Sequence, residues 1–330
     1  MDKQEPEKCL ICKKKNVLLR FTVSDFDTQT HFYDIFQCKD CNFAFVFPYP
    51  EKNIIRSYYN KNYYGSVNRK FTPVVEYITR FYNSLRAANI NKIISKSASR
   101  NKFINSNKIL DIGCGRGNLL KQLGKYKYEC YGLERSEFNF ELSSKIKIYQ
   151  KELTESNFNN MFFRCIILWH VYEHLDDSPD KILAEITRIH IGKGVLIISV
   201  PNFTSFQSYI FGKYWFHLDL PRHKYHFSIK SIELLLAKYN YKVIRKTTFS
   251  FEQSIFGFIQ SFYNKLMPSK TSNQFYSLLR LRGKNCQQYF QLIFFLLISI
   301  LILPFAIIEY IFSGLFGKGA VITIYSVKNT

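Results

Sequence analysis

Asp111-Ile112-Gly113-Cys114-Gly115-Arg116-Gly117 puts a carboxylate at the head of a loop whose glycines then recur at alternate positions. Glycine lets a backbone turn sharply and approach a ligand closely. Dinucleotide-binding loops instead carry G-x-G-x-x-G and seat a pyrophosphate on a helix N-terminus. An acid ahead of alternating glycines suits a cationic amino-acid group better. The run YECYGLE ends in Glu134, 23 residues after Asp111. A carboxylate at a strand end can accept both hydroxyls of a ribose. A glycine-rich loop alone is weak evidence; the two acids at this separation point to a nucleoside-like cofactor with a charged tail.

Cys9 and Cys12 form one CxxC and Cys38 and Cys41 another, with 25 residues between them that alternate as strands do. Four thiolates at that spacing present one tetrahedral zinc site, a strong signal for a structural Zn2+. Pro48 and Pro50 close this unit, since neither helix nor strand continues through so close a pair. The other four cysteines, Cys114, Cys130, Cys165 and Cys286, read as small hydrophobes.

These residues need a scaffold, and the order of elements supplies one. Strand-like runs stand at KILDIG, YECYGLE, KIKIYQ, CIILWHV, GVLIISV, YKVIRKTTF and AVITIYSV, separated by helical patterns at NLLKQLGK, NFELSSK, SPDKILAEITRI and SIELLLAKY. Such alternation predicts an α/β fold with a doubly wound, mostly parallel sheet. Residues 1–50 read as a zinc-ribbon-like unit, 51–105 as a helical lead-in or lid, 106–250 as the cofactor-binding core, 251–318 as an apolar helical insertion, and 319–330 as the last core strand. Within the lead-in, the paired tyrosines Tyr58, Tyr59, Tyr63 and Tyr64 could cover the site's mouth or simply pack.

The insertion ends in QLIFFLLISILILPFAIIEYIFSGLF, long enough for one membrane span. A single crossing conflicts with the return of AVITIYSV to the sheet. A hairpin bent at Pro304 and dipping into one leaflet, or a helix pair lying on the bilayer, resolves the conflict. Lys265, Lys270, Arg280, Arg282 and Lys284 would then face acidic headgroups. The rival is a buried helical pair forming a lid or dimer interface. The chain's formal charge of +21 favours anionic partners but does not choose among them. Much of it reads as solvated surface lysine. The N-terminal MDKQEPEKCL holds no apolar h-region, so a cytoplasmic chain is expected, peripheral on the cytoplasmic face through residues 288–316.

On these residues the stretch from Lys108 to about Ser250 resembles the class I S-adenosylmethionine-dependent methyltransferases, with their Rossmann-like seven-stranded sheet. More narrowly, it resembles bacterial members carrying an N-terminal zinc knuckle. The resemblance runs through LWHVYEHLDDSP at 168–179, SVPN at 199–202 and FGKYWFHLDLPRHKYHFS at 211–228. It implies S-adenosyl-L-methionine as cofactor. The methionine end would be held by Asp111, Gly113, Cys114, Gly115 and Gly117, the ribose by Glu134 with Arg135 beside it, and the adenine flanked by Glu152, Leu153 and Trp169. The chain departs from the family pattern at Arg164, where an acid usually precedes the fourth strand, and at Ile191-Gly192-Lys193-Gly194 in place of a PGG turn.

Methyl transfer from a sulfonium is an in-line displacement, so the enzyme orients the acceptor and removes its proton. Histidine suits the proton step. His223 is the expected base, with His226 and His170 as competitors; His174 reads as a brace for its turn. HxxxH spacing invites a second metal, but methyl transfer needs none. The expected acceptor is a sugar or lipid-linked intermediate of surface polysaccharide synthesis, small and anionic. A membrane quinone is the alternative, and an RNA-modifying zinc-ribbon protein is disfavoured because the basic residues form no stripe.

Overall fold

The computed structural model describes residues 5–25, 31–58, 73–99, 106–135, 146–267, 273–280 and 284–329. Packing divides the chain into two compact units. One comprises Met1–Thr72, Val200–Ile232 and Thr247–Ile322, the other Pro73–Ser199, Glu233–Lys246 and Thr323–Thr330.

The second unit is organised by a seven-stranded sheet. Its strands are β4 (Lys108–Ile112), β5 (Glu129–Leu133), β6 (Ile146–Tyr149), β7 (Phe163–Trp169), β8 (His190–Pro201), β10 (Tyr241–Thr247) and β11 (Val321–Lys328), in the order β10-β11-β8-β7-β4-β5-β6. These are the seven runs expected from the sequence, and the Rossmann-like methyltransferase architecture follows. β6, β5, β4, β7 and β8 pair in parallel. Ile109, Leu110, Ile166, Ile167, Leu168, Leu196 and Ile197 are fully buried. Near-continuous apolar runs of this kind belong to strands covered on both faces. The chain leaves β4 toward β5 and β6 and then returns to place β7 on the other side. This reversal opens a crevice at the carboxyl ends of β4 and β7.

Helix α2 (Pro73–Ser99) lays Ala87, Ile90 and Ile94 on the sheet beside Leu119, Leu120 and Leu123 of α3 (Asn118–Leu123). Helix α4 (Pro179–Ile189) starts at Ser178, whose side chain accepts the Lys181 N–H, with Pro179 in the first turn. Ser at the cap and Pro just inside are the residues that position favours. Its buried residues Ile182, Leu183, Ile186 and Ile189 form one stripe. Helix α6 (Ile229–Lys238) realises the SIELLLAKY pattern. NFELSSK lies outside the described residues, as do Tyr59, Tyr63 and Tyr64.

The first unit holds a four-stranded antiparallel sheet of β1 (Val17–Ser24), β2 (Phe32–Cys38), β3 (Ala44–Val46) and β9 (Tyr225–His226) in that order. The ribbon thus takes its fourth strand from PRHKYHFS, about 180 residues downstream. A short helix, α1 (Lys52–Ser57), follows β3, and α5 (Phe206–Phe211) follows β8. Three further helices complete the unit: α7 (Phe251–Leu266), α8 (Gln274–Arg280) and α9 (Cys286–Leu315). The hairpin bent at Pro304 does not form; α9 is one continuous helix with Pro304 inside it. A lone proline removes one backbone hydrogen bond but supplies no turn. The Leu, Ile and Phe residues on either side carry the helix through.

Candidate active site

In the sheet unit Asp111 lies on β4, opposite Gly132 of β5 and Ile167 of β7. Its side chain is buried, and burial raises its pKa to about 7, with the nearby Glu134 carboxylate adding to the rise and the Arg86 guanidinium opposing it. The loop after it folds over the end of β5: the N–H groups of Gly113 and Cys114 both donate to the Leu133 carbonyl, at 2.8 and 3.0 Å. The Gly115 N–H donates to Glu134 Oε2 at 2.9 Å. Gly113 has φ +69°, and a Cβ there would stand 2.3 Å from Val171 Cγ2. Gly115, at φ +52°, faces open space, with no atom within 4 Å of where its Cβ would be. The first glycine is demanded by the fold, and the second leaves room for a ligand. Gly117 at φ 67° caps α3. The Cys114 thiol sits where a Cβ on Gly132 would collide with it, and burial pushes its pKa well up.

Glu134 is buried at the end of β5. Arg135 extends to Asp176 at 3.0 Å and Glu152 at 3.7 Å, tying the three segments after β5, β6 and β7 together. Leu153 is buried in a single 3-10 turn, Leu153–Glu155. Trp169 ends β7, and the Arg86 guanidinium lies 4.0 Å over its ring. His170 adopts φ 53° and brings Nδ1 to 3.5 Å from the buried Glu173, while its Nε2 has no hydrogen-bond partner among the described residues. His174 belongs to the short turn Tyr172–His174, where its N–H donates to the Val171 carbonyl. Two residues that sequence reasoning missed come from α2: Arg86, and Glu76, which pairs with Arg116 of the loop at 2.9 Å. A signal was present for the first. Arg86 falls in line with Ile90 and Ile94, a cation on the buried stripe of the helix.

In the first unit Cys9, Cys12, Cys38 and Cys41 converge, their Sγ atoms all within 4.8 Å of one another. Cys9 meets Cys41 and Cys12 meets Cys38 at 3.5 Å. Four sulfurs about 2.3 Å from a tetrahedral zinc are roughly 3.8 Å apart, so the cluster fits that ion. Lys13 and Asn42, each following the second cysteine of its pair, both take left-handed backbone, φ 63° and 58°. The cradle is two matching knuckles. The hydrogen bond from the Cys41 thiol holds Cys9 down to about 5, while burial raises Cys12 to about 11.

The histidine cluster is part of the same unit. His217, His223 and His226 are all buried. His223 Nδ1 lies 2.8 Å from the His217 carbonyl. A carbonyl only accepts, so Nδ1 carries the proton and the neutral ring keeps its lone pair on Nε2. That Nε2 is 3.7 Å from Asp219, which also pairs with the buried Arg222. His226 sits on β9 opposite Ala44, its ring 5.3 Å from Phe203 and 6.3 Å from His223. A lone pair set by a backbone carbonyl, with a carboxylate near enough to stabilise the imidazolium, is the equipment of a general base.

A strand-loop-helix turn flanked by two buried carboxylates, Asp111 and Glu134, stands on a mostly parallel α/β sheet. The chain belongs to the methyltransferase-domain family, whose model matches residues 80–246, half of its length. It is 28% identical over 130 residues to a ubiquinone biosynthesis O-methyltransferase of Rickettsia bellii (strain OSU 85-389), covering 37% of this chain and 53% of that protein. It is also 28% identical over 154 residues to the protein of the same name from Pelagibacter ubique (strain HTCC1062), covering 44% and 61%. The chain spans little more than half the length of these curated relatives. Among solved structures, a SAM-dependent methyltransferase from Archaeoglobus fulgidus aligns with TM-score 0.44 and 16% identity, covering 74% of this chain and 94% of that one.

Proposed function

We propose that the chain transfers the methyl group of S-adenosylmethionine to a sugar or lipid-linked, anionic intermediate of surface polysaccharide synthesis at the cytoplasmic face of the membrane. The observation that carries the cofactor reading is Glu134, buried at the end of β5 and anchored by the Gly115 N–H, beside the open face of Gly115. When bound, S-adenosylmethionine supplies a sulfonium-activated methyl group. Asp111 would accept from its ammonium and Glu134 from its ribose hydroxyls. Gly113, Cys114 and Gly117 shape the loop around the methionine end. Arg86, which lies over Trp169, counters the carboxylate. Leu153 and Trp169 flank the adenine, with Arg135 holding Glu152 in place.

His223 Nε2 would take the proton of an acceptor hydroxyl, and Asp219 would steady the resulting imidazolium. His226 and His170 are the competing bases. The four cysteines would hold one structural Zn2+, outside the transfer itself. A methylated membrane quinone is the second reading, favoured by the names of the two curated relatives.

Calorimetric titration with S-adenosylhomocysteine tests the cofactor site. Binding should weaken about 10- to 100-fold in Glu134→Gln, the loss expected for hydrogen bonds to a charged group. Affinity indifferent to this change and to Asp111→Ala would sink the assignment. Incubation with methyl-labelled donor and cell membranes identifies the acceptor. Label in glycolipid supports the first reading, label in the quinone fraction the second, and label in RNA overturns both.

A further inference from the structure

The 30 residues of α9 divide cleanly into two faces. Phe295, Ser299, Ile302, Ala306, Glu309 and Ser313 recur at alternating steps of four and three, a single seam on one side of a helix. That seam turns inward. Phe295, Ile302 and Ala306 are buried against Ile255, Ile259 and Tyr263 of α7. Ser299 meets the Tyr263 hydroxyl at 2.9 Å, and Glu309, the helix's one carboxyl group, accepts from Gln207 at 2.7 Å.

The opposite stripe holds only Phe290, Phe294, Leu297, Leu301, Phe305, Ile308, Phe312 and Leu315, every one more than half exposed. In the most apolar 18-residue stretch, mean hydropathy is 2.8 and 17% of the residues are buried. A core helix of a soluble protein would be covered. Here Glu309 and Ser313 of the second half lie on the inner seam and the outer stripe is wholly apolar, the reverse of a water-facing surface.

Charge and topology select what covers the stripe. Lys265 in the last turn of α7, Arg280 in the last turn of α8 and Lys284 just ahead of α9 are an address for acidic headgroups. The segment from α7 to α9 leaves the seven-stranded sheet at β10 and returns to it at the neighbouring strand β11, so it begins and ends on one side of any bilayer. α7 offers no second crossing, because Ser254, Gln260, Ser261 and Asn264 are buried within it. A helix of about 45 Å that cannot cross must lie along the surface. We propose that α9 docks lengthwise into one leaflet of an anionic bilayer, its Phe290-to-Leu315 stripe among the acyl chains and the basic turn at the phosphates. This deepens the lipid-acceptor reading by supplying its surface, yet vesicle binding is read without methyl transfer, so either can fail alone.

Co-sedimentation of the full chain with phosphatidylcholine vesicles, with and without phosphatidylglycerol, tests this. The chain should pellet with the anionic vesicles and several-fold less with the neutral ones. Leu297→Glu/Leu301→Glu/Phe305→Glu should lower that binding by about tenfold or more while S-adenosylhomocysteine affinity is kept. Single Phe294→Trp, Leu301→Trp and Ile308→Trp variants should be quenched by brominated lipid at one common depth. A native chain that stays in the supernatant overturns the proposal. So does a depth that changes steadily from Phe294 to Ile308, the mark of a span. A vesicle-indifferent dimer that the triple Glu variant splits would assign the stripe to a second copy and overturn it too.

Discussion

Asp111 carries its proton up to about pH 7 in the folded chain, whereas an exposed aspartate releases it near 3.8. Between those values the folded state binds more protons than the unfolded one, so this group's contribution to stability falls as pH rises across the window. A ligand's ammonium group reverses the preference, because it needs the carboxylate. S-adenosylhomocysteine affinity should therefore climb by up to about tenfold per unit as pH rises toward 7 and then level off. Asp111→Asn should flatten that slope. Calorimetry between roughly pH 5.5 and 7.5 decides, and a slope that survives in the Asn variant would place the titrating group elsewhere. Asp111 and Glu134 were legible because an acid at a strand end is a local pattern. Arg86 over Trp169 was not: the contact joins residues 83 apart, and only the depth at which Ile90 and Ile94 pack brings the guanidinium to the ring.

The loop between β4 and α3 ties sequence to fold through one missing methyl group. Gly113→Ala would drive Cβ against Val171 in a backbone conformation that alanine resists. The cost should be about 1–3 kcal/mol in a denaturation titration, and Val171→Ala should restore part of it. Recovery absent from the double variant would mean that the left-handed backbone, not the collision, sets the cost. The metal cradle makes a parallel prediction. Native chain should carry one zinc by elemental analysis, and Cys38→Ser should lose it together with several degrees of melting temperature. Zinc content unchanged in Cys38→Ser would refute the four-cysteine site. Strands such as β7 could be read from the chain because parallel strands buried on both faces leave unbroken apolar runs, as in Phe163–Trp169. β9 could not. It is two residues long, and its pairing depends on Ala44 and Phe45 far upstream. The passage of α9 through Pro304 was equally hidden, since a single proline reads as a break when its neighbours' packing on α7 is unseen.

Over the whole molecule, a charge of +21 sets how strongly anionic surfaces are felt, and ionic strength sets the range. Vesicle binding should fall steeply as salt is raised from about 50 to 500 mM, because screening shortens that range to a few ångströms. Adsorption that ignores salt would leave the apolar stripe as the sole driver. The pairing of β3 with β9 reaches further. Tyr225 and His226 are held along Ala44 and Phe45, and the Ser228 hydroxyl donates to the Cys41 carbonyl at 2.7 Å. The four-cysteine knuckle and the segment bearing the candidate base are therefore tied together by strand pairing and by the Ser228 hydroxyl. Peroxide that converts the four thiols to disulfides would release the ion and loosen His226, while the cofactor crevice, built on other strands, would keep its affinity. The ribbon would act as an oxidative fuse: turnover lost, S-adenosylhomocysteine binding intact throughout, and turnover restored by thiol reductant and zinc.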